Sequence, residues 1–97
     1  MTITVLADVT IGDGVEQFLE MFSTEGYAKR QEHGCVGTRV LVPGDDSNNV
    51  LVLLEWPDEA AFHDFRTDPE GPAIMRRGGA QGPPTFTVLY RTVDFDH

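Results

Sequence analysis

Apolar side chains recur at every second position near both ends of the sequence. Residues 2–10 and 85–93 follow this period of two, which predicts a β-strand with one strongly apolar face in each segment. Residues 35–42 (CVGTRVLV) predict another strand. Residues 50–56 (VLVLLEW) begin with five consecutive apolar residues, so both faces of this strand need to be covered.

Between the first two strands the apolar period becomes helical. The apolar positions are Val15, Phe18, Leu19 and Phe22. They form one stripe, about 100° wide, along a helix. Gly26 falls in the middle of the continued stripe, and two interpretations stay open. Gly26 marks a kink or the end of the helix, with a further turn over 27–31, or its missing side chain leaves room for a ligand or a close backbone approach.

Capping residues predict where the helices begin. Asp13 is the predicted N-cap of the first helix, and Asp58 that of a helix after the third strand. The segment 67–70 (TDPE) predicts a further short helix, with Pro69 near its first position and Arg76 near its end. Turn-forming residues fill 43–49.

The resulting order, β-α-β-β-α-(α)-β, is that of the ferredoxin-like split βαβ arrangement. We therefore expect one α+β domain over residues 1–97, with helices on one face of a four-stranded antiparallel sheet. The other face carries Leu6, Leu89 and half of the third strand. If these side chains stay exposed to water, the fold loses roughly 1.5–3 kcal/mol of burial free energy for each. A homodimer that buries this face in both copies is the simplest remedy.

Charge and composition exclude several classes of partner. Hydrophobic residues make up 40% of the chain, and 7 Lys and Arg stand against 16 Asp and Glu, for a formal net charge of −9. An acidic protein repels phosphate backbones and anionic lipids, so nucleic acid and membrane are poor partners. The N-terminus lacks a signal-peptide pattern, and Cys35 alone cannot form an internal disulfide. We expect a cytoplasmic protein.

Three segments carry a family resemblance. These are EQFLEMF in the first helix, HGC before the second strand, and LEWPDEAAFHDF at 54–65, whose most specific residues are Trp56, Asp58, Ala61 and Phe62. With the order of elements, they resemble the antibiotic biosynthesis monooxygenase superfamily of dimeric α+β barrels. That superfamily includes cofactor-independent quinone-forming monooxygenases, haem-degrading enzymes and proteins that process signalling molecules. The resemblance therefore implies the architecture more firmly than the chemistry.

The haem-degrading branch is disfavoured residue by residue. Its function needs an Asn on the first strand, a Trp inside the helix and a His on the following helix. The corresponding positions here are Ala7 or Asp8, Phe65 and Met75. Without an imidazole at position 75, haem iron lacks its usual proximal ligand. We expect no haem, and no other tightly bound cofactor.

A barrel of this kind has its cavity between helices and sheet, where core and pocket wall are the same surface. The residues expected to line it and contact a substrate are Phe22, Trp56, Phe65 and Met75. Core packing is the alternative role for each of these side chains. The soft, flexible side chain of Met75 suits either use.

Three reactive side chains have structural explanations as well. His63 points about 130° away from the Phe62/Phe65 direction on an ideal helix, which favours solvent. Cys35 has no neighbouring base and favours an inert thiol. Glu55 must be paired, lie at a rim or have a raised pKa, and Arg39 and Arg91 are its candidate partners. No His, Cys or carboxylate spacing predicts a metal site.

Two functions follow from these patterns. One is a monooxygenase-like homodimer that oxidises a small hydrophobic or aromatic metabolite by positioning it and excluding water. The other is a non-catalytic small-molecule-binding or structural homodimer. No catalytic residue can be assigned from the sequence, so both functions stay open.

Overall fold

The computed structural model describes residues 2–12, 14–44 and 48–96. Within these ranges the strands follow the predicted order, and the first predicted helix is divided into two, which gives four strands and four helices. The elements are β1 (Ile3–Thr10), α1 (Val15–Ser23), α2 (Glu25–Glu32), β2 (Gly37–Leu41), β3 (Asn49–Trp56), α3 (Glu59–Arg66), α4 (Gly71–Arg77) and β4 (Thr85–Leu89). Within the described ranges, no helix is long and apolar enough to cross a membrane.

The four strands form one antiparallel sheet in the order β2-β3-β1-β4. The long strands β1 and β3 are its centre, in a register that pairs Val5 with Leu54 and Ala7 with Val52. This order is the ferredoxin-like one, so the predicted α+β class and sheet are confirmed.

Alternation along β1 and β3 places the core on one face of the sheet. Every second side chain of both strands is buried, and α1, α3 and α4 contribute Phe18, Phe62 and Ile74 to the same cluster. The opposite face stays partly open. It carries five leucines, of which Leu41 and Leu89 are 40% and 41% exposed. The other three are Leu6, Leu51 and Leu53, which are half-buried.

The first helical segment breaks at Thr24, two residues before Gly26. The Thr24 hydroxyl donates a 2.8 Å hydrogen bond to the Glu20 carbonyl, which helps to end α1. Gly26 lies in the first turn of α2, where a Cβ would come within 3.2 Å of the Met21 carbonyl oxygen. The predicted break is therefore present, and the second interpretation of Gly26, a close backbone approach, also holds.

The capping predictions have different outcomes. Asp58 caps α3, because its side chain accepts from the Ala61 N–H at 2.9 Å. Asp13 lies outside the described residues. The start predicted near Pro69 was wrong: α4 begins at Gly71, and Pro72 occupies its first turn. Instead the Thr67 hydroxyl donates to the His63 carbonyl at the end of α3.

Both edge strands are shorter than predicted. β4 pairs with β1 only from Thr85 to Leu89, so the pairing ends at Thr4, the second residue of β1. Residues 90–96 are exposed beyond that point. β2 spans Gly37–Leu41, while β3 begins one residue early, at Asn49. The predicted turn at 43–49 includes residues 45–47, which lie outside the described ranges.

Core packing predicts unequal effects for two phenylalanine truncations. Phe18 is 1% exposed and Phe95 is 84% exposed. Phe18→Ala leaves a cavity and should lower the free energy of unfolding by about 3–5 kcal/mol, whereas Phe95→Ala should change it by less than about 0.5 kcal/mol. Urea denaturation at one fixed protein concentration measures both. Equal effects would contradict this assignment of the core.

Candidate functional site

A cavity of about 500 Å³ lies between the core face of the sheet and the helices. Small and branched side chains of β1 and β3 form its floor, with Phe86 of β4 beside them. The helices add a soft, largely aromatic wall. The large apolar residues of this wall are Phe18, Met21, Phe22, Phe65, Ile74 and Met75.

Three of the four residues expected to line the cavity lie on its wall: Phe22, Phe65 and Met75. Trp56 does not reach it. Although alternation points Trp56 to the same face as Leu54, its ring is fully buried behind Phe65, 4.8 Å between ring centroids. Trp56 therefore supports the wall through Phe65, and ligand contact by the other three stays a prediction.

The indole of Trp56 has an unusual feature for a buried side chain. Its Nε1 has no hydrogen-bond partner among the described residues. The ring also contacts Phe62, at 6.1 Å between centroids, so its surroundings are mostly apolar. An unpaired buried donor typically costs about 1–3 kcal/mol, which the burial of the large ring offsets.

Arg30 is the buried charge of the site, at 8% exposure. Its guanidinium lies 3.7 Å above the Phe22 ring, and Nη1 donates to the Phe22 carbonyl at 3.0 Å. A Cβ at Gly26 would lie 3.3 Å from the same Nη1, so the glycine leaves space for this group. Burial lowers the pKa of Arg30, because it disfavours the charged form.

An ion-pair cluster links α2 to the loop before α4. The Asp68 carboxylate, on the cavity wall, accepts from Lys29 Nζ at 2.9 Å and lies 2.8 Å from His33 Nε2. Lys29 also contacts Glu32 and Glu70. The hydrogen bond with His33, then those from the Glu70 N–H and Lys29, hold the pKa of Asp68 well below its usual range.

Glu32, His33 and Asp68 bring three ligand atoms within 4.8 Å of one another, close enough for a metal ion. However, Lys29 Nζ already lies 2.9 Å from the Asp68 oxygen and 3.1 Å from a Glu32 oxygen. The ammonium supplies the positive charge that these carboxylates need, so we interpret the group as an ion-pair cluster. Sequence reasoning missed it because His33 and Asp68 are 35 residues apart and only the fold brings them together.

The other singled-out side chains lie away from the cavity. His63 is exposed, which confirms its predicted direction. Cys35 is half-buried, and its thiol lies 3.3 Å from the carbonyls of Gly37 and Glu55, a structural role. The Glu55 side chain is exposed near the end of β3. Within the described ranges it forms no ion pair with Arg39, so of its predicted alternatives the rim placement applies.

The ion-pair cluster predicts an acid-dependent loss of stability. Because the pKa of folded Asp68 lies below its usual 3.8, its contribution is present above that pH and is lost as the pH falls further. Asp68→Asn should therefore be less stable than wild type at neutral pH, and the difference should shrink below about pH 4. Urea denaturation at several pH values measures this. Asp64→Asn removes the same charge from an exposed position, so its free energy of unfolding should follow that of wild type at every pH. If Asp68→Asn is less stable than wild type by the same amount at every pH, ionisation of Asp68 does not explain its contribution.

Comparisons with known proteins agree with the fold. The chain is similar to SnoaB, a cofactor-independent oxygenase from Streptomyces nogalater, with TM-score 0.78 and 14% identity over 99% of this chain and 98% of that one. A conserved protein from Methanosarcina mazei has TM-score 0.71 and 16% identity, over 95% and 94% of the two chains. A Mycobacterium tuberculosis protein has TM-score 0.66 and 17% identity over the full length of both.

No curated protein matches the sequence. The family model described as antibiotic biosynthesis monooxygenase matches residues 2–77, which confirms the resemblance carried by the first helix and the strand-tryptophan-helix segment. The chain belongs to the antibiotic biosynthesis monooxygenase family.

Proposed function

We propose that this protein is a homodimeric monooxygenase that oxidises a small aromatic metabolite without a tightly bound cofactor. The observation that carries the proposal is the cavity of about 500 Å³ between sheet and helices. This volume suits a ligand of two to three fused rings, since small-molecule sites typically span roughly 300–1,000 Å³. Phe22, Phe65 and Met75 supply the apolar contacts that such rings need.

The proposed chemistry takes its electrons from the substrate. A phenolic ring with a free para C–H reacts with O₂ to give a quinone and water. One oxygen atom replaces the ring hydrogen as a carbonyl, and the other leaves as water with that hydrogen and the phenolic one. The substrate loses four electrons and O₂ gains four, so no external reductant is required. The protein contributes by holding the ring and excluding water.

A second candidate function is binding without catalysis, because the one carboxylate on the described cavity wall is poorly suited to act as a general base. Asp68 is the carboxylate on the cavity wall among the described residues, and its oxygens already accept hydrogen bonds. Its lowered pKa makes it a weak base, because proton transfer is favourable only to a group whose pKa lies near the working pH. The monooxygenase proposal therefore requires a substrate that ionises without help from a strong base.

The homodimer completes the proposal. The open face of the sheet carries five leucines, in the middle of which Leu53 of β3 pairs with Leu6 of β1. In the chain alone this face lacks the cover that the helices give to the other face. Pairing two copies about a two-fold axis would bury all five leucines of each copy at once.

Oligomeric state tests the homodimer. Wild type should sediment with a mass near twice 10.7 kDa. Leu53→Glu puts a charge in the middle of the leucine face and should give a species near 10.7 kDa. Ala60→Glu adds the same charge on an exposed helix position and should stay dimeric. A wild-type monomer at micromolar concentration would refute the pairing.

Oxygen uptake tests the chemistry. With 1,5-dihydroxynaphthalene, wild type should consume one O₂ per 5-hydroxy-1,4-naphthoquinone formed, without added metal or flavin. Ala7 lies on the cavity floor, so Ala7→Leu should lower kcat/KM on the order of tenfold by displacing the ring. Ala60→Leu makes the same change on an exposed helix position and should match wild type. Background uptake across a panel of dihydroxy-aromatic compounds would exclude the monooxygenase in favour of binding alone.

A further inference from the structure

The cavity wall has a charge balance opposite to that of the protein. Of the 7 Lys and Arg in the sequence, four lie on this wall. Of the 16 Asp and Glu, the described residues place one there, Asp68. The four cations are Lys29, Arg30, Arg66 and Arg76. An acidic chain has therefore concentrated its positive charge around an otherwise apolar hollow.

The four cations differ in how their charge is compensated. Lys29 is neutralised by Asp68, Glu32 and Glu70. Arg66 and Arg76 are exposed, so water solvates them. Arg30 is buried, and no ion pair joins it to a carboxylate within the described parts of the chain.

The surroundings of Arg30 leave most of its hydrogen-bonding capacity unused. A guanidinium has five N–H donors. Among the described residues the Phe22 carbonyl is the acceptor that Arg30 reaches, through Nη1. The Phe22 ring covers one face of the group at 3.7 Å and fixes its plane beside the cavity. Its other polar neighbours are Tyr27 and Cys35.

A buried cation is costly unless an anion and hydrogen bonds compensate it. The planar donors of arginine match the two oxygens of a carboxylate, and they also bind a single phenolate oxygen. Since the described chain supplies no such anion, we propose that the ligand supplies it: an aromatic compound with an oxyanion, either carboxylate or phenolate, bound by Arg30. This inference rests on the proposed function only in taking the cavity as the ligand site.

Matched probes test the inference by equilibrium binding, without turnover. 2-Naphthoate and 2-naphthamide share their ring and differ in the charge of one group. Wild type should bind naphthoate at least about tenfold more tightly than naphthamide, because the carboxylate forms a charge-assisted hydrogen bond with Arg30 in a site partly shielded from water. A nitronaphthol, whose neutral and ionised forms differ in colour, tests the phenolate. Its ionised form should appear at lower pH when bound.

Variants test whether Arg30 causes the preference for the anionic probe. Arg30→Gln should lose the preference for naphthoate over naphthamide, while Arg30→Lys should keep part of it. Arg91→Gln removes the same charge from an exposed position beyond β4 and should leave the preference unchanged. Arg30 also borders a smaller hollow beside Cys35, so a further variant is needed to show which hollow the probe occupies. Ala7→Leu fills part of the main cavity and should weaken the binding of both naphthoate and naphthamide if they bind there.

The outcomes separate the two proposals. Equal affinity of wild type for naphthoate and naphthamide, with no change in nitronaphthol ionisation, would overturn the inference even if Arg30→Gln fails to fold. A preference that survives in folded Arg30→Gln would also overturn it. If the preference for naphthoate depends on Arg30 but oxygen uptake stays at background, the anion site is supported and the monooxygenase proposal is refuted. Naphthoate binding without nitronaphthol binding would identify the oxyanion as a carboxylate.

Discussion

The antiparallel pairing of β1 with β3 is the constraint on which the rest of the structure depends. Both strands bury every second side chain on the core face, and Leu51 and Leu53 of β3 with Leu6 of β1 make the other face apolar as well, so neither face of the sheet can be left to water without a free-energy cost. The helices cover one face but do not fill the space above it, which creates the cavity. The other face keeps its leucines, which is why a second copy of the chain is the cover that we propose.

The fold was accessible from the sequence because the strongest signals were local. Period-two alternation in β1 and the apolar run in β3 identified the two central strands and their inward faces. The ends of the edge strands were harder to predict, because alternation does not show where pairing stops: β4 ends at Leu89 although its own alternation continues. The start of α4 was misplaced because the Thr67 hydroxyl bonds back to α3, and Asp68 accepts from the Glu70 N–H and from Lys29 without beginning a helix at Pro69.

The site was less accessible because its parts meet only in three dimensions. Apolar wall residues such as Phe22 and Phe65 could be chosen from helix faces, since core and wall are the same surface. Trp56 faces the same side of the sheet but is separated from the cavity by Phe65. Sequence periodicity gives the direction of a side chain and not its depth, so this could not be predicted. Arg30 had no signal at all: it follows Lys29 in a polar helix, and only packing against Phe22 makes it a buried charge.

The contact between α2 and α4 differs from the rest of the interior, because it is made largely of charges. Arg77 Nε donates to Glu25 at 3.0 Å near one end, and Lys29 contacts Asp68 and Glu70 near the other. Charged groups at a surface exchange a protein partner for water at little net cost, whereas apolar groups do not. The ion pairs between α2 and α4 therefore weaken as the salt concentration rises, whereas the buried Ile74 keeps α4 on the core. Salt thus changes how firmly the two helices that border the cavity are joined to each other, without loosening α4 from the core.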